Sequence, residues 1–183
     1  MIDRTGSVGA VYAKCHLFSP AGEDRVYVPG DEISLFPLAG LKCGIAICYD
    51  LRFGALFRLY ERAGAGAVFI PAAWPSERIK HWILLARTRA LENGMYIIGI
   101  NTTGTNSVGQ YSGHSIIVDP EGTVVKEADE REELLVAELD PALVIQARRR
   151  SRVRQDERSG LYHSLARRIR EGEETESDPV KRR

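Results

Sequence analysis

Short apolar runs broken by glycine, proline or charged residues dominate the chain. Continuous or alternating runs predict strands over residues 8–12, 42–47, 67–71, 96–101, 114–118, 123–126 and 134–139. Helical spacing takes over from Leu51, where Leu51, Leu56, Phe57 and Tyr60 predict a helix over 52–63 that stops at Gly64. A second helix is predicted over 77–92, with Ser76 as N-cap and Asn93-Gly94 as its stop. Trp82, Leu85, Ala86, Arg89 and Ala90 form one face of it. Pro120-Glu121-Gly122 reads as a turn, so the strands beside it should pair antiparallel. A third helical stretch, 142–150, follows Asp140-Pro141. Strand–helix alternation that ends in a β-meander predicts a layered α/β sandwich rather than a doubly wound parallel sheet.

Apolar content falls away near the end, which predicts one domain over residues 1–163 and a charged, unstructured tail over 164–183. A length of 183 residues suits one moderate core. Twenty-five basic residues balance 25 acidic ones, so no overall charge draws the chain to nucleic acid or to a membrane surface. The basic run at 148–154 lacks interleaved aromatics, and nucleic acid is not expected as a partner. Neither a leader-like apolar segment nor a bilayer-length run is present in the sequence. Three cysteines without CxxC spacing read as free thiols in a reducing compartment, hence a cytoplasmic location. Scattered histidines leave neither Cys15 nor Cys43 the partners of a zinc site, and no metal or organic cofactor is expected.

Candidate chemistry centres on Cys48. Alone, a cysteine after Ile45-Ala46-Ile47 reads as a core thiol. Here it also ends the strand and opens the helix, a turn that exposes a side chain and aims helix N-terminal amides at it, favouring the thiolate. Upstream, Lys14 follows an alternating run, and Glu23 lies in the polar segment Ala21-Gly22-Glu23-Asp24-Arg25. A lysine, a carboxylate and a thiol at strand ends or in the loops after them suit a nucleophile with charge-stabilising partners. Asp24 is the second candidate for the acidic position. Asp50 and Arg52 flank the nucleophile and are expected to orient its turn.

Seven segments resemble the nitrilase, or carbon–nitrogen hydrolase, superfamily. They are YAKCHLF around Lys14, Glu23 six positions before PGDE, GIAICYDLRF, IPAAWP, HWILLARTRALEN, INTTG and GHSIIVDPEG, in the family's order from Ile2 to Arg150. The resemblance implies a four-layer α-β-β-α sandwich with its N-terminal part missing, and a homodimer. It implies Cys48 as nucleophile, Lys14 and Glu23 as its catalytic partners, and Tyr49, Trp74 and Asn101 as substrate-binding residues, with Asn101 equally a packing residue. The substrate would be a small linear amide, cleaved through a cysteine thioester as by an amidase or ω-amidase. The family's first catalytic glutamate lies before the lysine motif, where this sequence has none, and Gly54-Ala55 stands where many members carry Pro-Glu. An N-terminally shortened or impaired enzyme, or a start site further upstream, is therefore expected. The alternative is an inactive remnant that serves as a binding or assembly partner.

Overall fold

In the computed structural model, which describes residues 1–107 and 109–171, most of the apolar runs become strands: β1 (Leu35–Leu38), β2 (Leu41–Ile45), β3 (Ala67–Ala72), β4 (Tyr96–Asn101), β5 (Thr103–Thr105), β6 (Gln110–Ser112), β7 (Ile116–Val118) and β8 (Val124–Glu127). One six-stranded sheet has the order β1-β2-β3-β4-β7-β8, and β5 and β6 form a separate ribbon. The pairs β2–β3 and β3–β4 are parallel because helices α1 (Gly54–Arg62) and α2 (Ile79–Asn93) serve as their crossovers. The pairs β1–β2, β4–β7 and β7–β8 are antiparallel, the last through the turn expected at residues 120–122.

Both helices cover one sheet face. Phe57 and Tyr60 of α1 and Trp82, Ala86 and Ala90 of α2 pack with Val68, Ile70, Ile97, Ile116 and Val118 in one buried cluster. Two glycines let the large rings sit against the backbone. A Cβ at Gly44 would fall 2.5 Å from Tyr60, and one at Gly99 would fall 2.5 Å from Trp82. Burial pushes the Tyr60 hydroxyl up to about 12. A second cluster joins Phe36, Leu41, Cys43, Ala67 and Tyr96 to Val144 of α3 (Pro141–Arg150). Asp140 caps α3, its Oδ1 accepting the Ala142 N–H at 2.8 Å. The four-layer arrangement needs a second sheet facing the first. The described residues contribute the six-stranded sheet and the β5–β6 ribbon.

Several expectations are corrected. Residues 8–12 form no strand beyond a single bridge from Val8 to Ile2, and 134–139 are irregular. Leu134 and Val136 are exposed, as are Val8 and Val11, so the alternation in these runs finds no sheet to pair with. Strand β1 lies outside the predicted strands, and Pro37 falls within it. Pro37 is tolerated on an edge strand, and Ala39-Gly40, both with positive φ, turn the chain into β2. Ser76 does not cap the second helix. Its hydroxyl donates to Gln110 O, and a 3-10 turn over Ser76–Arg78 precedes α2. Gly94 ends that helix in the left-handed conformation, as expected.

Met1–Ser151 form one compact unit, and the described residues from Arg152 onward belong to a second. In the second, α4 (Val153–Asp156) precedes α5 (Ser159–Arg170), which runs past the predicted boundary at 163–164, so Ser164–Arg170 are helical. The remainder of the expected tail, 172–183, lies outside the described residues. Among the described residues, no helix is long and apolar enough to cross a membrane.

Candidate active site

The turn after β2 builds the site. Ile47 is extended, and Cys48 then takes φ +46° and opens a 3-10 turn over Cys48–Arg52. A left-handed conformation at a non-glycine residue costs on the order of 1–3 kcal/mol and persists where its surroundings enforce it. Two buried charged residues do so. The Asp50 carboxylate, fully buried, accepts the Ile47 N–H at 2.9 Å, the His16 N–H at 2.9 Å and the Tyr12 hydroxyl at 2.8 Å, with His16 Nδ1 at 2.8 Å. On the other side, Arg89 of α2 donates from Nε to Leu51 O at 3.1 Å and from Nη2 to Arg52 O at 3.0 Å. Its Nη1 reaches Glu92 at 2.9 Å. Gly54 is part of this arrangement, because a Cβ there would lie 3.0 Å from Arg89 Nη1. At Gly54, where many family members carry a side chain, the guanidinium occupies the neighbouring space.

Lys14 and Glu23 meet as an ion pair, Nζ to Oε2 at 2.6 Å. The same oxygen accepts the Phe18 N–H at 2.8 Å. Burial raises the Glu23 carboxyl, but the bonds from Lys14 and Phe18 outweigh it and its pKa is lowered overall. Asp24 is exposed, so Glu23 occupies the acidic position beside the lysine. Gly30 N–H donates to Lys14 O at 2.9 Å and holds the lysine's backbone.

These groups line one open cleft of about 980 Å³, with Lys14, Glu23 and Cys48 joined by Phe18, Tyr111 and Arg78. A small recess on the other side of Cys48 is lined by Tyr49, Trp74 and Arg52 among others. The Arg52 guanidinium lies 4.9 Å from the Trp74 ring centre. Asn101 lines neither space. Its side chain accepts Trp74 N–H at 2.7 Å and donates to Trp74 O at 3.2 Å and Gly113 O at 2.6 Å, fixing the Trp74 backbone from behind.

Two opposing influences act on the Cys48 thiol. Burial pushes the Cys48 thiol up, and the Lys14 charge and the Tyr49 N–H draw it down without overcoming burial. Glu23, beside the lysine, adds to the upward shift. Cys43 is an ordinary core thiol, buried and pushed up to about 11 by desolvation. Cys15 packs against the main cluster beside the site.

Sequence reasoning missed Tyr12, His16 and Arg89 as supports of the site. Tyr12 and His16 stood inside the lysine motif, which offered a signal, whereas Arg89 was read only as part of a helix face. The cleft residues Tyr111 and Arg78 had no separate signal.

A family model described as carbon-nitrogen hydrolase matches residues 1–149. Over 150 residues the chain is 40% identical to the hydrolase in agr operon of Staphylococcus lugdunensis, covering 81% of this chain and 64% of that protein. It is 37% identical over 160 residues to the 2-oxoglutaramate amidase of Bacillus subtilis, covering 87% and 62%. The chain thus spans less than two thirds of the length of both relatives. The crystal structure of a carbon-nitrogen hydrolase from Helicobacter pylori superposes with a TM-score of 0.82 at 25% identity, over 90% of this chain and 63% of that one. The order of the motifs, the strand–turn–helix at Cys48 and the match over most of the chain lead to one conclusion: this protein belongs to the carbon–nitrogen hydrolase family, within the nitrilase superfamily.

Proposed function

We propose that this chain carries the acyl-transfer site of an amidase that cleaves the C–N bond of a small linear amide, with Cys48 as nucleophile. The observation that carries this reading is the Lys14–Glu23 pair facing Cys48 across one cleft. The sulfur attacks the amide carbonyl carbon, and the resulting oxyanion is stabilised by Lys14 and the Tyr49 N–H. Collapse expels ammonia, which carries away the proton that the Cys48 thiol gave up on attack, and a thioester remains on Cys48. Water then attacks the thioester, releasing the carboxylic acid and the thiol. Tyr49 and Trp74, in the recess beside Cys48, are the proposed contacts for the substrate's carbon chain. The 2-oxoglutaramate amidase relative supports an ω-amide of a short dicarboxylic skeleton as the substrate class.

Glu23 is committed to Lys14 and Phe18, so its carboxylate supports the lysine rather than serving the sulfur directly. The test is ammonia release from small amides, 2-oxoglutaramate among them, with Cys48→Ala as control. Release that vanishes in the variant supports the amidase reading. Folded protein that releases nothing overturns it and favours an inactive partner role.

A further inference from the structure

We propose that Asp50 is the positioning residue that holds Lys14 against the Cys48 turn, acting through Tyr12 and His16 on either side of the lysine. The inference rests on the roles proposed above for Cys48 and Lys14. Each Asp50 oxygen takes two donors. Oδ1 takes the His16 backbone N–H at 2.9 Å and faces His16 Nδ1 at 2.8 Å. Oδ2 takes the Tyr12 hydroxyl at 2.8 Å and the Ile47 N–H at 2.9 Å. One carboxylate thus ties the residue before Cys48 to the residues two before and two after Lys14.

The chemistry favours a carboxylate over any other side chain there. An ionised carboxylate is acceptor-only with about four lone-pair sites, enough for this set of donors, whereas asparagine must turn an NH₂ toward one of them. His16 is further fixed by stacking on Phe53, with ring centroids 3.7 Å apart and planes 7° from parallel. Burial first, then Cys15 and Asp50, hold the Tyr12 hydroxyl well above the ordinary phenol range, so it stays protonated as a donor. Lys14 itself touches the rest of the fold through Glu23 and the Gly30 N–H. Its place relative to the sulfur is therefore set by the neighbours that Asp50 grips.

The test reads Cys48 directly, so it does not depend on turnover. Iodoacetamide labelling of the Cys48 peptide, followed by mass spectrometry across pH, reports the thiol midpoint in the full chain. Lys14→Met removes a charge that draws the thiol down, and its midpoint rises. Asp50→Asn moves the midpoint in the same direction and adds nothing in the Lys14→Met background. Loss of the Asp50 charge acting directly on the sulfur would move it the opposite way, so the sign is decisive. Tyr12→Phe keeps every charge and gives a smaller upward shift. An unchanged or lowered midpoint in Asp50→Asn, or full additivity with Lys14→Met, overturns the proposal. Should Asp50→Asn not fold, the absence of a shift in Tyr12→Phe overturns it and a rise supports it. Where wild-type turnover is measurable, Asp50→Asn lowers kcat by about 10²-fold with little change in KM, the scale of a small misplacement at a reacting centre. Missing turnover with an intact labelling cycle defeats the amidase reading and leaves the positioning role standing.

Discussion

The Cys48 turn and the loop that carries Lys14 and Glu23 face the same cleft but are held in different ways. The turn continues an inner strand, and its last carbonyls are bound by Arg89, a buried residue of α2. Its Asp50 is fully buried, as is Leu51. The lysine loop instead runs through two short 3-10 turns, Ser19–Ala21 and Glu23–Arg25, neither of which buries a residue. Val26, Tyr27 and Val28 after them are exposed, Val28 at 87%. The nucleophile is thus placed by the same packing that stabilises the fold, whereas its charged partner is placed by a few polar contacts. Stability and activity should separate along this line.

The widest separation is expected at Lys14. Lys14→Met should cost about 10²–10³-fold in kcat/KM, the scale of losing one oxyanion donor. Its effect on unfolding free energy should stay within about 1 kcal/mol, because the pair with Glu23 is partly exposed. Steady-state kinetics beside urea unfolding checks both, and a large stability loss would erase the contrast. Arg89→Ala should show the reverse. Two buried carbonyls lose their donor, for roughly 2–4 kcal/mol of stability, read as a lowered urea midpoint.

Smaller effects sharpen the comparison through pH. Because the Cys48 pKa is raised, its alkylation should keep increasing past the thiol's ordinary value of 9.0, and a midpoint below that value would contradict the burial argument. Glu23 works in the other direction. Its carboxyl is lowered in the folded state, so its contribution is present above the unfolded carboxylate range and fades as pH falls through the folded value. Subtracting the unfolding free energy of Glu23→Gln from that of the wild type should leave under about 1 kcal/mol near pH 6, and this difference should shrink as the pH falls below the ordinary carboxylate range. A difference that grows on acidification would reverse the assigned sign.

Periodicity carried much of the fold. The strand from Tyr96 to Asn101 matches its predicted limits, and the helix stop at Gly94 follows from local backbone preference. The runs at 8–12 and 134–139 show where such reasoning ends. Alternation reports a face suited to a sheet and says nothing about whether a neighbouring strand is there to pair with. Pro37 shows the converse, since its fit depends on lying at a sheet edge, a property of the assembled sheet. The site divides in the same way. The break from strand to helix at Cys48 was visible from spacing, and the ordered motifs around it resembled those of the family to which the chain belongs.

The sequence by itself determined where strands β2, β3, β4, β7 and β8 and the two crossover helices lie to within a few residues, which thiol stands at a turn, and the family, because these depend on local preference and on the order of short motifs. Tertiary structure decided that Glu23 rather than Asp24 meets the lysine, and that Asn101 braces Trp74 instead of lining the cleft. It also decided that burial outweighs the Lys14 charge at Cys48, and that Asp50 grips Tyr12 and His16. Each of these is a competition between solvent and particular partners, and in most of them the partners are brought together from distant positions along the chain. Desolvation and hydrogen-bond geometry exist only once the chain has closed around them.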